Sequence, residues 1–565
     1  MRDIIYKASL RNAVQYDGKA AKGPVMQHVM GEHPELRPKA KEIIPLVAEV
    51  IAEVNALTPK EQKEEMARLG ITAVEHTKEI RKGLESLEGV DKGLVMRFAP
   101  GPSGPLHIGH SRAAVLNDEY CRMHNGQFIL RLEDTNPDKI DPLAYNMIAE
   151  DLEWLGVKVH KTYIQSDRLD LYYEHARVLL EKGHAYICKC EADHWRELKN
   201  QEKPCPHREL PPQDQLEQWD RMLAGDYDQG EASLMVKTDI AHPNPAVRDF
   251  VGLRINKDTP HPRTGDRYFI YPLYNFSVAI DDHLMGCTHI LRGKDHLNNT
   301  YRQEYVYDHL GWEKPTFIHY GFVSIEDVIL KTSSIRESIK DKTFSGWDDV
   351  RLGTFRALKR RGFDKQALRD YWIEVGMGQV DIKFSFENLY SFNKKIIDPV
   401  SNRYFFVADP VDVELVTDSP LEGRAPKHPA DPGQGFRNYK VEPVDGIVPL
   451  LIQKEDIEAA GTGQLIRFKD LCNVVLQEKG DGTYKAQYKG NDLEPLKGTG
   501  RIFQWVPKQG SVPATLLMPD GGKREGRVER AVLDEQLDSV QFERVCFARI
   551  ESKDPDHVQA IYTQN

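Results

Sequence analysis

The segment from Leu94 to His124, LVMRFAPGPSGPLHIGHSRAAVLNDEYCRMH, constrains the fold of this chain most. A short apolar run stops at Pro100, Gly101, Pro102 and Gly104, and the residues after that turn have helical periodicity. Strand, glycine-rich turn and helix make the first half of a βαβ unit. GQFILRLEDTNP then supplies a second strand and AYNMIAEDLEWLG a further helix. Alternation of this kind predicts a parallel, doubly wound sheet, which binds ligands at the C-terminal ends of its strands.

A chain of 565 residues is too long for one hydrophobic core, so several domains are expected. Residues 1–92 read as a helical extension: Ile43, Val47, Val50, Ile51 and Val54 recur at helical spacing, and Thr58–Pro59 marks a helix start. The α/β pattern fills 93–185, breaks at about 186 into a cysteine- and proline-containing insertion, and returns over 266–340. Helical periodicity follows from Gly346 to about 385, within a connector placed at 341–394. From 395 to 565 short β runs such as RYFFV, GIVPLLI and RIFQWV alternate with polar turns, which predicts one or two β-barrels. The expected fold is thus multidomain, α/β plus all-β.

The net charge of −11 neither demands nor forbids a nucleic-acid partner, because screening confines surface fields to roughly 8 Å. The best membrane candidate, Glu42–Leu57, is interrupted by Pro45, Glu49 and Glu53, so no membrane association is expected. The start MRDIIYKASLRN carries no apolar core followed by small residues, which leaves a cytoplasmic address as the expectation. Seven cysteines, three of them close together, suggest metal or free thiols rather than a disulfide framework.

Within PLHIGH, His107 and His110 fall on one face of an opening helix, with Gly109 leaving room between them. A helix N-terminus favours phosphate, and imidazole donors there can hold the oxygens of a triphosphate. By itself this pattern would equally suit a nucleotidyltransferase. Cys188 and Cys190 form a Cys-x-Cys pair, and Cys205 and His207 a Cys-x-His pair. Three thiolates and an imidazole are a tetrahedral zinc set, structural in role because no position stays open for water; free cysteines beside a surface histidine are the alternative. RALKRRGF puts Arg356, Lys359, Arg360 and Arg361 on one short helix, which by itself reads as a solvated face.

Taken together, RFAPGPSGPLHIGH, RLEDTNP, DDHLMGCTHILRGKDH and SGWDDVRLGTFRALKRRG resemble, in order and spacing, the class I aminoacyl-tRNA synthetases of the glutamate and glutamine group. The N-terminal extension and the β-rich C-terminal part are similar to the archaeal-type glutamyl enzymes. The resemblance implies a Rossmann-type catalytic domain, an acceptor-binding insertion over 186–265 and anticodon-binding barrels over 395–565. It assigns His107, Gly109 and His110 to ATP, which brings Mg2+ with it, and Arg97, Glu133 and Tyr274 to the amino acid. Arg97 offers a fork for a carboxylate and Glu133 an acceptor for an ammonium group, although the two could also pair with each other. Arg292, in HILRGKDH, stands where the family's glutamate enzymes carry arginine and its glutamine enzymes do not.

The family's Lys-Met-Ser-Lys-Ser loop corresponds to DVILKTSSIRESI, where Ser334 holds the position of the second lysine. Lys331 and Arg336 are the cations available in its place, with Ser333 beside them. Leu273 and Asn275 stand where threonine and aspartate are usual, and Gly101 where bacterial relatives have serine. The family match also makes the helix of Arg356, Lys359, Arg360 and Arg361 a tRNA-backbone contact. The expected partners are L-glutamate, ATP, tRNA-Glu and tRNA-Gln, with the protein a monomer. A glutaminyl enzyme and a non-catalytic tRNA-binding paralogue, the latter because of Ser334, are the alternatives.

Overall fold

The computed structural model describes residues 2–15, 18–33, 40–69, 83–326, 328–478, 483–496 and 501–565. Two compact units are present, residues 1–81 and 82–565. In the first, helices α1 (Arg2–Gln15), α2 (Lys22–Glu32), α3 (Ala40–Asn55) and α4 (Pro59–Arg68) share one apolar core. Ile43, Val47, Val50 and Val54 of α3 are buried in it, as their spacing predicts. Thr58 and Glu61 form a reciprocal cap at the start of α4, with Pro59 in the first turn.

The second unit opens with the parallel strands β1 (Val95–Phe98), β2 (Gln127–Leu132) and β3 (Lys161–Ile164), joined through α5 (Ile108–Met123) and α6 (Ala144–Leu155). After α7 (Leu169–Glu181) the sheet is interrupted. Strands β4 (Ala185–Cys188), β5 (Ser233–Val236), β6 (Phe250–Ile255) and β7 (Ile270–Pro272) form an antiparallel sheet, with α8 (Ala192–Asn200) and α9 (Pro212–Ala224) between the first two. This sheet runs to Pro272, past the expected limit of 265, because Ile270–Pro272 completes the ladder on β6.

Helix α10 (Tyr274–Leu284) leads back to the parallel strands β8 (His289–Gly293) and β9 (Thr316–Tyr320), connected by α11 (Leu297–Leu310). The N–H of Thr288 donates to Val95 O at 3.0 Å, and its hydroxyl accepts from Val95 N at 3.0 Å. Those bonds set β8 beside β1, so the strands run β3-β2-β1-β8-β9, with the reversal of order between β1 and β8. That reversal is where a doubly wound sheet opens its ligand crevice.

The connector is less helical than its periodicity predicts. Helices α12 (Thr332–Lys340), α13 (Phe355–Arg360), α14 (Lys365–Val375) and α15 (Phe386–Ile397) are separated by irregular chain, and residues 346–353 are not helical. There the Asp349 carboxylate accepts from the N–H groups of Ser345 and Arg351, a local alternative to the helical ladder. Gly353 also lies so close to Leu330 and Val328 that a Cβ would clash.

Two seven-stranded sheets make up the C-terminal region. The two edges of the first, Asn402–Tyr404 and Phe406–Ala408, are halves of one kinked strand, so the sheet returns on itself as a near-barrel. The second closes in the same way through Arg501–Phe503 and Trp505–Pro507. Side chains of Asn402–Ala408 alternate between the two cores: Tyr404, Phe406 and Ala408 point into one, Phe405 and Val407 into the other. This strand is a shared wall. Phe405, Phe406, Phe503 and Trp505 are all buried and belong to these cores. At the kink, Phe405 N–H donates to the Glu529 carboxylate at 2.5 Å and Phe405 O accepts from Glu529 N at 3.2 Å, which satisfies both groups the ladders leave over. Arg437 donates to the same carboxylate oxygen as the Phe405 N–H, and the Tyr439 hydroxyl donates to the other. Replacing Glu529 by Ala leaves the kink's N–H and Arg437 short of a buried partner, and should destabilise the barrels by about 3 kcal/mol. Urea unfolding followed by tryptophan fluorescence would measure it; an unchanged midpoint would contradict this account of the kink.

Candidate active site

A cavity of about 370 Å³ opens at the crevice between β1 and β8. Arg97 from β1, Gly109 and His110 from α5, Tyr274 from α10 and Arg292 from β8 all line it. These residues come from four separate elements between positions 97 and 292, and the parallel sheet brings them together. Glu133, just past β2, lines an adjoining cavity of about 560 Å³, and Tyr274 borders both.

The histidine turn is built from backbone bonds. His107 caps α5 in an extended conformation, and its Nδ1 accepts the Gly109 N–H at 3.1 Å. Nδ1 of His110 accepts the His107 N–H at 3.2 Å. Both rings therefore carry their proton on Nε2 and present it as a donor. A Cβ on Gly109 would sit 2.9 Å from the His107 ring, which explains the glycine. Burial lowers the His107 pKa to about 4; His110 is held well below its usual value by burial and by His107. The pair is neutral at physiological pH, two hydrogen-bond donors without charge.

Behind the cavity lies a row of buried charges. Arg97 Nε donates to Asp282 Oδ1 at 3.1 Å, and Arg131 Nη1 donates to the same oxygen at 2.6 Å. Arg131 Nη2 reaches on to Glu133 at 3.1 Å. Arg97 and Glu133 thus do not pair directly; Asp282 and Arg131 stand between them. Burial alone would raise the Asp282 pKa, but the two guanidiniums reverse that and leave it below its ordinary value. The partners Arg131 and Asp282 were missed in the sequence, where charged residues inside the apolar runs FILRL and VAIDD were the available signal.

Arg292 differs from these arginines. It is 5% exposed, and among the described residues it forms no ion pair with a carboxylate. Its Nη2 donates to Thr300 Oγ1 at 2.7 Å and Gln303 Oε1 at 2.9 Å, and Nη1 donates to the Tyr274 hydroxyl at 3.3 Å. All three acceptors are neutral. Burial pulls its pKa below the usual value, whereas Arg97 and Arg131 are raised by Asp282 against the same penalty. The site thus keeps one buried positive charge in need of an anion.

Lys331 precedes α12, and Ser333 and Ser334 lie in its first turn; all three are exposed and outside both cavities. The segment is docked on the glycine-rich turn: Arg336 Nη2 donates to Ser103 O at 2.5 Å and its Nε lies 3.5 Å from Asp141. Thr332 comes so near Gly104 that a Cβ there would lie 2.4 Å from its methyl group.

The four cations of the connector diverge. Arg356 pairs with Glu150 and Asp151, and Arg360 with Glu551. Arg361 is buried, with Nη2 donating to Thr563 O at 3.2 Å. Lys359 is exposed and forms no ion pair among the described residues. Periodicity placed them on one helix, but the last of them turns inward to hold the final strand.

Cys188, Cys190, Cys205 and His207 bring four donor atoms within 4.8 Å of one another. Cys188 Sγ lies 3.7 Å from Cys205 Sγ, and Cys190 Sγ lies 3.5 Å from His207 Nδ1. Four ligands around zinc, with Zn–S about 2.3 Å, have sulfur–sulfur edges of about 3.8 Å. The set fits a tetrahedral metal.

Comparison with known proteins places the chain in a family. The family described as tRNA synthetases class I (E and Q), catalytic domain, matches residues 93–399, and its anti-codon binding domain matches 401–489. The glutamate–tRNA ligase of Methanopyrus kandleri is 45% identical over 570 residues, covering 100% of this chain and 99% of that protein. Those of Methanocorpusculum labreanum and Methanocaldococcus jannaschii are 47% and 46% identical, covering all of this chain and 99% and 100% of theirs. No helix among the described residues is long and apolar enough to cross a membrane. The chain belongs to the class I tRNA synthetase family for glutamate and glutamine.

Proposed function

We propose that this protein activates L-glutamate with ATP and transfers it to the 3′-terminal adenosine of tRNA-Glu and tRNA-Gln. The observation that carries the reading is the buried Arg292 guanidinium, open to the cavity and served only by neutral acceptors. An amino acid with an anionic side chain supplies the missing charge; a neutral amide would leave it buried and unpaired.

The chemistry needs no covalent protein nucleophile. An α-carboxylate oxygen of glutamate attacks the α-phosphorus of ATP, the bond to the β-phosphate bridging oxygen breaks, and pyrophosphate leaves. The terminal ribose hydroxyl then attacks the acyl carbonyl and AMP departs. Arg97, half-satisfied by Asp282, is aimed into the cavity where a carboxylate would lie. Glu133 serves the α-ammonium group from the adjoining side. His107 and His110 donate from Nε2 to phosphate oxygens; being neutral, they orient the triphosphate and leave charge compensation to other groups. Magnesium accompanies the triphosphate and neutralises part of its charge. With Ser334 in the signature loop, Lys331 is the cation free to reach the pyrophosphate.

The sheet of 185–272 serves as the acceptor-stem domain, and Cys188, Cys190, Cys205 and His207 hold a structural zinc that fixes its fold. The barrels bind the anticodon, and Lys359 with Arg356 and Arg360 faces the tRNA backbone. The protein acts as a monomer.

Charging of purified tRNA-Glu and tRNA-Gln with each amino acid tests the reading. Wild-type protein should charge both tRNAs with glutamate only, and Arg292→Leu should lower kcat/KM for glutamate by roughly 100-fold. Equal use of glutamine would overturn it, and charging at the rate of a buffer blank would favour a non-catalytic paralogue. Lys331→Ala should reduce the charging rate roughly 100-fold; a normal rate would remove Lys331 from the mechanism. Elemental analysis should find about one zinc per chain, lost in Cys190→Ser together with a lower melting temperature. Metal-free wild-type protein of unchanged stability would refute the zinc assignment.

A further inference from the structure

Arg292 and His319 are register partners on β8 and β9, and α11 lays Thr300 across them. The Thr300 hydroxyl is buried and stands between the two: it accepts from Arg292 Nη2 at 2.7 Å and lies 2.9 Å from His319 Nε2. A hydroxyl has one proton to give. Arg292 cannot take it, since a guanidinium only donates. The other oxygen within reach, His296 O, lies 3.4 Å away, the weaker of the two acceptors. The short contact therefore runs from Thr300 O–H to His319 Nε2, and His319 carries its own proton on Nδ1. The charged groups facing this imidazole are Arg292, His296 and Asp295; burial, Arg292 and His296 favour the neutral ring, and Asp295 opposes them.

We propose that His319 is a positioning residue for amino-acid recognition. By drawing the Thr300 proton to itself, it turns the hydroxyl lone pairs toward Arg292 and fixes the guanidinium in its course across the cavity. Gln303 does the same for the second hydrogen of Nη2, with its own amide donating to Asn275 at 3.3 Å. Nη2 is thereby anchored at both hydrogens, while Nε and one hydrogen of Nη1 have no partner among the described residues. Without an acceptor at 319 the hydroxyl rotor is released and its proton can face the guanidinium, so the anchor weakens. His319 lines neither cavity, and it acts only through Thr300. The inference rests on the assignment of Arg292 to the amino-acid carboxylate.

The test is tRNA charging as a function of glutamate and of ATP for His319→Leu, His319→Gln and Arg292→Leu, with melting temperatures recorded alongside. His319→Leu should raise the glutamate KM about 5- to 10-fold, while kcat and the ATP KM stay within about twofold. His319→Gln keeps an acceptor at the end of its side chain and should restore the glutamate KM to within about twofold of wild type. An unchanged glutamate KM in His319→Leu would overturn the proposal, as would a parallel rise in the ATP KM or an equal defect in His319→Gln. If Arg292→Leu also leaves the glutamate KM unchanged, the reading of Arg292 itself fails; if only His319→Leu is silent, the positioning role alone falls. Should His319→Leu not fold, Thr300→Val probes the same link: the same split between KM values supports it, and an unaltered glutamate KM overturns it.

Discussion

One carboxylate, Asp282, receives two guanidiniums from neighbouring strands, and the geometry of the crevice depends on that arrangement. Arg97 and Arg131 come from β1 and β2, whereas Asp282 sits on α10, which the chain reaches only after the whole inserted sheet. The two halves of the catalytic domain therefore meet at a charge cluster as well as along a strand pair. A buried ionic cluster contributes little net stability, since desolvating its members costs about as much as their attraction returns. Its effect here is positional: Arg97 and Glu133 each have one side held, and their remaining hydrogen-bonding capacity faces the cavities.

Against this row of paired charges, Arg292 stands out by its surroundings rather than by its type. Thr300, Gln303 and Tyr274 orient it without neutralising it. A carboxylate in that ring of partners would stabilise the empty protein and compete with an anionic ligand. Three neutral acceptors hold the direction of the side chain and leave its charge without a carboxylate partner among the described residues. The histidine turn follows the opposite rule: its rings are kept neutral by burial, and so they add donors without adding charge. A buried charge and a pair of neutral donors are thus separated onto β8 and α5.

Much of this was legible in the sequence because the relevant signals are local. The strand, glycine-rich turn and helix of 94–124 follow from residue order alone, and so do the capped start of α4 and the Cys-x-Cys and Cys-x-His pairs. What periodicity could not show was partner choice across distance. Arg131 and Asp282 lie 151 positions apart and are partners only because β2 and α10 converge. Arg361 directly follows Lys359 and Arg360 in sequence, yet it caps the end of α13 and points inward, where it holds the last strand of the chain. The stretch 346–353 falls within the expected helical run, but the Asp349 carboxylate takes up the N–H groups of Ser345 and Arg351, and Gly353 passes close under Leu330 and Val328. Distant contacts decide the first two cases, and at Asp349 a local side chain-to-backbone bond competes with the helical ladder.

The wall common to the two barrels, Asn402–Ala408, sets a limit on how this part of the chain can vary in evolution. Because successive side chains enter different cores, inserting or deleting one residue there would exchange the side chains that this strand supplies to the two interiors. Loops around the barrels can lengthen freely, whereas this seven-residue strand can change only by substitution of matching size on each face. The two barrels are consequently coupled: neither can be separated from the other without removing core side chains from both, Phe405 and Val407 on one face and Tyr404, Phe406 and Ala408 on the other.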